Sequence, residues 1–369
     1  MSNKSGIIAP GGTIGILGGG QLGRMLASAA AELGLHVHIY SPEKDAPAAE
    51  VSAHVTCADY EDEAALRRFA DSVDVVTYEF ENVPAETARI LAERGLVRPG
   101  PLALATAQDR IVEKNFMKAQ GILTAPFADV SDEASLRAAI ENIGCPSVLK
   151  TRRFGYDGKG QAKILSADGA LSAYEEIGRA PAILEGFVSF EREISVVVAR
   201  GADGEIAPYD PVENIHRNHI LHQTLVPAKL PDAVADEARA IASRIVRELD
   251  YVGVMGVEMF LLAEGAGAQR LLVNEIAPRV HNSGHWTMDA CIISQFEQHI
   301  RAICGWPLGR PARHSDAVMT NLIGDDVDQW KVLASERDTS IHLYGKGEAR
   351  PGRKMGHVTR LYALGTRLA

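Results

Sequence analysis

The sequence predicts a mixed fold, α/β at its start and α+β beyond, built from two or three domains. Three observations predict it. The first hundred residues alternate short apolar runs with helical patterns, the signature of a parallel sheet covered by helices. Two apolar segments either side of Glu264 to Ala268 face each other across a glycine-punctuated turn, and after Pro307 and Pro311 the pattern breaks into short strands. At 369 residues the chain is long enough for several such units and a large core.

Taken in order, Thr13 to Leu17 reads as a short buried strand that runs into Gly18-Gly19-Gly20-Gln21-Leu22-Gly23, and Arg24 to Leu33 follows as a helix. Val37 to Tyr40 is a second strand, Glu63 to Ala70 a helix, and Val73 to Tyr78 a third strand that ends at Glu79. Pro99, Gly100 and Pro101 mark a boundary, after which Asp109 to Ala119 reads as a helix with Arg110 near its start. Between Ala125 and Val188, the strands Ser147 to Lys150 and Ala182 to Glu185 flank a glycine-rich loop and a helix. Glu193 to Ala199 alternates as a strand, and Ala233 to Leu249 is a helix with an apolar stripe. Turns at Gly345, Gly347 and Gly352 punctuate the C-terminal strands.

Hydrophobic residues at 46% and charged residues at 23% describe an ordinary globular protein. A net charge of −10 argues against a nucleic-acid-binding surface. Cys57, Cys145, Cys291 and Cys304 are scattered and form no CxxC pair, so neither a zinc site nor a disulfide framework is indicated, and a reducing cytoplasm is the simplest setting. With no run of ~18 apolar residues, neither secretion nor membrane insertion is expected.

The chemistry starts from Glu258 and Glu275. Each lies in an apolar strand segment, Val254 to Leu261 and Leu271 to Ile276, and a turn centred midway places the two carboxylates opposite each other. Directly opposed side chains lie about 4.5–5.5 Å apart at Cβ. Two like charges at that distance among Met, Phe, Leu and Val repel unless a cation lies between them or one is protonated. A hard, oxygen-ligated cation such as Mg²⁺ meets the requirement, and its other ligands are commonly phosphates. The plain alternative is a pair of edge glutamates in water.

Four further motifs surround this pair in sequence. Gly18-x-Gly20-x-x-Gly23 satisfies the dinucleotide pattern, but Tyr40 and Ser41 stand where NAD binding wants an acidic residue, so phosphate of another ligand is the better expectation. Lys150 precedes Phe154-Gly155-Tyr156-Asp157-Gly158-Lys159-Gly160-Gln161, a loop able to fold closely over phosphates while Lys150 and Lys159 supply charge. A surface hairpin turn is the bland reading of the same loop. The stretch Asn274 to Trp286 holds Arg279, His281 and Asn282: an arginine able to hold a planar anion with two donors, and two side chains able to donate hydrogen bonds or move protons. Tyr344 to Lys354 is a basic turn in an acidic protein, either anion-contacting or merely solvated.

With these residues assembled, the chain resembles the ATP-grasp superfamily and, within it, the N5-carboxyaminoimidazole ribonucleotide synthetases of purine biosynthesis. The markers are Gly18 to Met25, Gly155 to Gln161, Asn274 to Trp286 and Arg350 to Lys354, in that order along the chain. The resemblance implies an ATP-grasp fold with an N-terminal parallel α/β domain over 1–105. An ATP-grasp domain over 106–310 follows, with a lid at about 125–190, and a small β-rich C-terminal part covers 311–369. It implies that ATP meets Arg110, Lys150, the loop Gly155, Tyr156, Asp157, Gly158, Lys159, Gly160 and Gln161, the strand end Glu185, Gly186, Phe187 and Val188, and Glu193, His216, Asn274 and Glu275. Glu258 and Glu275 would hold Mg²⁺.

The second substrate so implied, 5-aminoimidazole ribonucleotide, would place its phosphate near Gln21, Leu22, Lys346 and Arg353 and its ring and ribose near Glu79, Tyr156 and Asp157. The implied reaction carboxylates its exocyclic amine with bicarbonate through carboxyphosphate. Arg279 would hold the anion, His281 and Asn282 would orient it, and Asp157 would position the amine. A cytoplasmic homodimer completes the expectation. Where many ATP-grasp enzymes have Glu-x-Asn, this chain has Glu275-Ile276-Ala277, which turns attention to Asn274. Three rivals stand beside this reading: a formate-transferring ATP-grasp ligase, an NAD-linked dehydrogenase on the N-terminal domain, and a silent nucleotide-binding regulator.

Overall fold

The structure is a computed structural model that describes residues 6–155, 158–263 and 271–366. Its first part is a parallel sheet of β1 (Thr13–Leu17), β2 (His36–Ser41), β3 (His54–Cys57) and β4 (Val75–Tyr78) in the order β3-β2-β1-β4. Helices α1 (Gln21–Glu32), α2 (Glu63–Asp71), α3 (Ala85–Arg94) and α4 (Pro101–Gln108) connect and cover it. The central strand β1 is buried on both faces, which is why it reads as a continuous apolar run. Gly18 follows it at φ +101°, and a Cβ there would meet Cγ of Glu79 at 2.4 Å, so only glycine fits this turn.

Three local differences from the sequence reading have plain causes. Helix α1 begins at Gln21, ahead of Arg24, because Gly20 serves as its N-cap. Strand β3 is an exposed edge with little apolar signal. The Pro99 to Pro101 run starts a helix, since a proline in the first turn lacks an N–H that has no helical partner anyway.

Helix α5 (Arg110–Ala119) leads into a small antiparallel layer. It holds β5 (Phe127–Val130), α6 (Glu133–Ile143), β6 (Ser147–Thr151), β7 (Gln161–Ile164), α7 (Ala170–Glu176) and β8 (Ala182–Gly186), with strand order β5-β8-β6-β7. Leu136, Ile140, Leu149, Ile164, Tyr174 and Leu184 form its own core. The N-terminus of α5 is tied to this layer: the Asp109 side chain caps Ile111 and also accepts from Arg152 Nη2 at 2.8 Å and Nε at 3.1 Å.

The largest unit is a sheet of nine strands. In chain order they are β9 (Arg192–Arg200), β10 (Ile206–Pro208), β11 (Val212–Arg217), β12 (Ile220–Val226), then after helix α8 (Asp232–Glu248) β13 (Gly253–Leu261) and β14 (Leu271–Ala277). Helices α9 (Thr287–Ala290) and α10 (Gln295–Ile303) precede β15 (Ser315–Ile323), β16 (Thr339–Leu343) and β17 (Lys354–Ala363). The path runs β14-β13-β9-β11-β12-β15-β17-β16, with β10 on β9, so the C-terminal strands extend the central sheet through β12. Alternation along β9 sends Ile194, Val196 and Val198 to a core shared with α8, and Val197 and Ala199 to one shared with α10 and α1. Packing of α1 on α10 thereby fixes the parallel sheet beside the central one.

His299 on α10 joins those two sheets. Its Nδ1 accepts from the Val254 N–H at 3.1 Å and its Nε2 meets Thr77 Oγ1 on β4 at 2.8 Å, so Nε2 carries the proton. Burial pushes this imidazole down to about 3. The unfolded chain, titrating near pH 6.5, binds a proton that the fold refuses, so this contribution is present at neutral pH and lost as pH falls below about 6.5. By pH 5 the loss amounts to about 2 kcal/mol. His299→Gln keeps a donor and an acceptor without titrating, and denaturant unfolding at pH 7 and pH 5 should show a shallower acid loss by about that amount. An unchanged slope would contradict the linkage.

Candidate active site

The three sheets meet around a cleft of about 510 Å³. Gly20, Gln21, Leu22 and Glu79 line it from the parallel sheet, Lys150, Gly155, Gly158, Lys159 and Gln161 from the small layer, and Glu193, His216, Glu258, Asn274 and Glu275 from the central one. Five carboxylates and five lysine or arginine side chains face the same space: Glu79, Glu81, Glu193, Glu258 and Glu275 against Arg110, Lys150, Lys159, Arg279 and Lys354. A cleft of this composition suits a ligand that brings both negative charge and a cation.

Glu258 and Glu275 are direct partners in the β13–β14 register, as the hairpin arithmetic predicted, and a bulge between Glu258 and Met259 shifts the pairing beyond them. The turn itself lies outside the described residues. Through the mouth of the cleft Glu275 keeps 40% of its side chain accessible and Glu258 keeps 18%, although protein surrounds both. Burial and the neighbouring Glu275 push the Glu258 carboxyl up. Burial would do the same to Glu275, but Arg110, bonded to it at 2.9 Å, and Lys150 hold it down.

The donor set fits a hard cation. Glu258 and Glu275 offer carboxylate oxygens, and in the same cleft the buried Asn274 Oδ1 has no hydrogen-bond partner among the described residues. A buried amide oxygen left without a donor calls for a ligand, and three oxygen donors suit Mg²⁺ better than a softer metal.

Behind Glu275 a second charge layer holds the floor. Glu185 accepts from Lys150 Nζ at 2.7 Å and lies 3.7 Å from Lys114 Nζ. Burial would raise its carboxyl, but the two lysines hold it at about 2. On the far side of the cleft Glu193 pairs with His216 Nδ1 at 2.7 Å.

The loop after β14 carries Arg279, His281 and Asn282. Arg279 Nε donates to Glu81 at 2.6 Å and Nη1 to the Val280 carbonyl at 3.2 Å. Both polar atoms of the Asn282 side chain are buried without partners among the described residues. His281 lies against Gly256 of β13, where a Cβ would meet the His281 Cβ at 2.7 Å, so glycine is required for this approach. Gln295, fully buried, pairs with the His281 backbone in both directions: Oε1 accepts from its N–H at 2.9 Å, and Nε2 donates to its carbonyl at 2.7 Å.

A buried string of side chains sets the His281 ring. Thr224 donates to Asn214, Asn214 to Ser195, and Ser195 to Ser283, which meets His281 Nδ1 at 2.8 Å. With the Ser283 hydroxyl already accepting from Ser195, it donates to Nδ1, which leaves the proton on Nε2, 3.3 Å from Glu258. Burial and Arg279 push the imidazole down to about 3, so the ring is a neutral donor.

The glycine-rich turn is closed by the protein itself. Glu79 accepts from the N–H groups of Gly20 and Gly23, the latter at 2.6 Å, and fills the N-terminus of α1 with a carboxylate. Those amides are the ones a dinucleotide pyrophosphate would need, so the NAD reading loses its anchor. Lys346 acts electrostatically on Glu79, and its Nζ donates to the Lys354 carbonyl at 2.7 Å.

Of the residues expected from sequence, Gly160, Glu185, Gly186, Phe187, Val188, Lys346 and Arg353 are not in the cleft lining itself. Phe187, at the end of β8, is exposed under Lys163, and Arg353 donates to the Glu348 carbonyl at 2.7 Å. Tyr156 and Asp157 lie outside the described residues. The lining also contains Phe80, Glu81, Asn82, His219, Leu221 and Lys354, which the sequence reading had not assigned. Glu81 and Asn82 follow the carboxyl end of β4, where ligands collect on parallel sheets, and that rule could have found them. His219 and Leu221 arrive on the β11–β12 hairpin, which carried no periodic signal.

Comparison with known proteins places this geometry. Residues 12–108 match the ribonucleotide synthetase preATP-grasp domain and residues 115–296 the ATP-grasp domain. Residues 317–363 match the phosphoribosylaminoimidazole carboxylase C-terminal domain. The fold is therefore an ATP-grasp fold. The N5-carboxyaminoimidazole ribonucleotide synthase of Brucella melitensis is 53% identical over 356 residues, covering 96% of this chain and 97% of that one. The N5-carboxyaminoimidazole ribonucleotide synthetase of Thermus thermophilus superposes with a TM-score of 0.89 at 43% identity, over 96% of this chain and 95% of that one. The Aspergillus clavatus enzyme, solved with ADP and 5-aminoimidazole ribonucleotide, gives 0.88 at 33% identity, over 96% and 94%. The chain belongs to the N5-carboxyaminoimidazole ribonucleotide synthase family.

Proposed function

We propose that this chain is a ligase that carboxylates 5-aminoimidazole ribonucleotide with ATP and bicarbonate, giving N5-carboxyaminoimidazole ribonucleotide, ADP and phosphate in purine biosynthesis. The observation that carries the reading is the placement of Arg279. It shares one cleft with Glu275 of the central sheet and Glu79 of the parallel sheet and is coupled electrostatically to both, so an anion held there is within reach of the nucleotide end and the N-terminal turn.

Arg110, Lys150, Lys159 and the loop Gly155 to Gln161 take the phosphates of ATP. The strand end Glu185 to Val188 takes its adenine, and Glu193 with His216 its ribose. Glu258, Glu275 and Asn274 hold Mg²⁺, which when bound offsets phosphate charge. Nη2 of Arg279, with the Asn282 amide, holds bicarbonate, and the Nε2 proton of His281 orients it. A bicarbonate oxygen attacks the γ-phosphorus as the bond to ADP breaks, giving carboxyphosphate. The amine nitrogen of the ribonucleotide then bonds to the bicarbonate-derived carbon, either in carboxyphosphate as phosphate leaves or in CO₂ that carboxyphosphate has released together with phosphate in the closed site. Since Nδ1 of His281 already accepts from Ser283, the ring is a donor, and the amine proton goes to the departing phosphate.

Gln21, Leu22, Lys346 and Arg353 take the ribonucleotide phosphate, Glu79 and Tyr156 its ribose and ring, and Asp157 its amine. The layer of β5 to β8 acts as the lid that keeps water from carboxyphosphate. Domain limits of 1–105, 106–310 and 311–369, a homodimer and a cytoplasmic setting belong to the same proposal. Unpaired Cys57, Cys145, Cys291 and Cys304 agree with a reducing compartment.

ADP release tests the proposal directly. With ATP, Mg²⁺ and bicarbonate it should depend on 5-aminoimidazole ribonucleotide and consume its free aromatic amine. Turnover only with formate and glycinamide ribonucleotide would assign the chain to a formyl-transferring enzyme instead. Glu275→Gln should abolish turnover while thermal unfolding stays cooperative, and normal turnover would sink the metal assignment.

Burial and Arg353 push the Lys346 ammonium down to about 8. Its charge is present below that pH and lost as pH rises through it, so kcat/KM for the ribonucleotide should fall above pH 8, by up to about tenfold per unit. Lys346→Arg should flatten that limb, and Lys346→Ala should raise the ribonucleotide KM far more than the ATP KM. Equal effects on both substrates would contradict the phosphate role.

A further inference from the structure

Among the described residues, strand β14 is the outer edge of the central sheet, with no neighbouring strand on one side. On that side the Val273 N–H donates to the Leu123 carbonyl at 2.8 Å, and side chains hold the residues that follow beside the charged site. Helix α5 supplies these side chains. Lys114 Nζ donates to the Asn274 carbonyl at 2.6 Å and reaches the Val273 carbonyl at 3.4 Å, and Glu113 Oε1 accepts from the Ile276 N–H at 2.6 Å. Arg110, one helical turn earlier, bonds the Glu275 carboxylate between them at 2.9 Å. Consecutive residues of one helix therefore grip the backbone on both sides of Glu275, and a third grips its side chain. Glu113 is 2% exposed and Lys114 1%, so both give up hydration to make these bonds.

Lys114 also ties this grip to the small layer. It lies 3.7 Å from Glu185 Oε1, and Glu185 Oε2 accepts from Lys150 at 2.7 Å. The same helix is held to that layer at its start by Arg152 on Asp109.

We infer that Glu113 and Lys114 are positioning residues for the Glu275 carboxylate. They continue the edge contact that begins at Val273 and fix residues 274–276 relative to the small layer, so that the cation and nucleotide sites keep one geometry. The inference rests on the proposed metal role of Glu275. Groups that orient a metal ligand typically change metal affinity or activity 10–100-fold when removed.

The test compares Glu113→Met and Lys114→Met, which lose the bonds, with Glu113→Gln, which keeps an acceptor for Ile276. With ATP fixed at a saturating concentration and Mg²⁺ varied from zero, the free Mg²⁺ giving half-maximal ADP formation should rise about tenfold or more in both methionine variants. The ribonucleotide KM should stay within about twofold, and Glu113→Gln should behave like the wild type. An unmoved Mg²⁺ requirement in the folded methionine variants, or a ribonucleotide KM rising in step with it, would overturn the inference. So would Glu113→Gln matching Glu113→Met, because charge and not the bond would then matter.

Should the methionine variants not fold, hydrogen exchange on the wild type decides. The Ile276 amide should exchange as slowly as the sheet interior, and rapid exchange would remove the clamp. A wild type indifferent to free Mg²⁺ overturns the metal reading and the inference together. A responsive wild type with unmoved variants overturns the inference alone.

Discussion

Two carboxylates directly opposed on neighbouring strands, in a site backed by Val257, Met259 and Ile276, repel each other, and much of the surrounding structure answers that repulsion. Arg110 stabilises one member of the pair by a direct bond, while Glu258 faces the Nε2 proton of a neutral His281. The resulting asymmetry, one carboxyl pushed up and the other held down, is what a like-charge pair adopts when its members must share one site. In the proposed function an oxygen-ligated cation would remove the conflict, and the Asn274 Oδ1, without a partner among the described residues, would add a neutral donor in the same cleft.

The second theme is that polar groups around the site hold one another before any ligand arrives. Glu79 caps α1 through the turn amides, Glu81 holds Arg279, and Gln295 pairs with the His281 backbone. The string from Thr224 to Ser283 settles which nitrogen of His281 carries its proton. Such fully satisfied buried networks keep a site in one geometry. Against that background the two polar atoms of Asn282 stand out, buried and without partners among the described residues.

Much of this was legible in the sequence, and unevenly so for physical reasons. Glu258 and Glu275 could be paired because a hairpin relates its strands by reflection about one point, and Lys150 could be placed because it ends an apolar run. Strand β3 and the β11–β12 hairpin escaped, since edge and cleft-facing strands lose the apolar alternation that marks a half-buried one. Gln295, Glu113 and Lys114 were invisible for another reason. Their partners are backbone groups, and those of Glu113 and Lys114 lie some 160 residues away, so no spacing rule along the chain points to them. The glycine-rich turn was read as a place for the phosphate of a ligand, and the negative charge that meets the Gly20 and Gly23 amides in the structure is Glu79.

The most direct test of the central claim is a titration of Mn²⁺, a paramagnetic stand-in for Mg²⁺, followed by electron paramagnetic resonance with a non-hydrolysable ATP analogue present. The account predicts one bound ion per chain in the wild type. It predicts that Glu258→Gln and Glu275→Gln each weaken binding at least about tenfold while the proteins stay folded. Equal affinity in the wild type and both variants would show that the opposed carboxylates do not hold the cation, and would contradict the account at its centre.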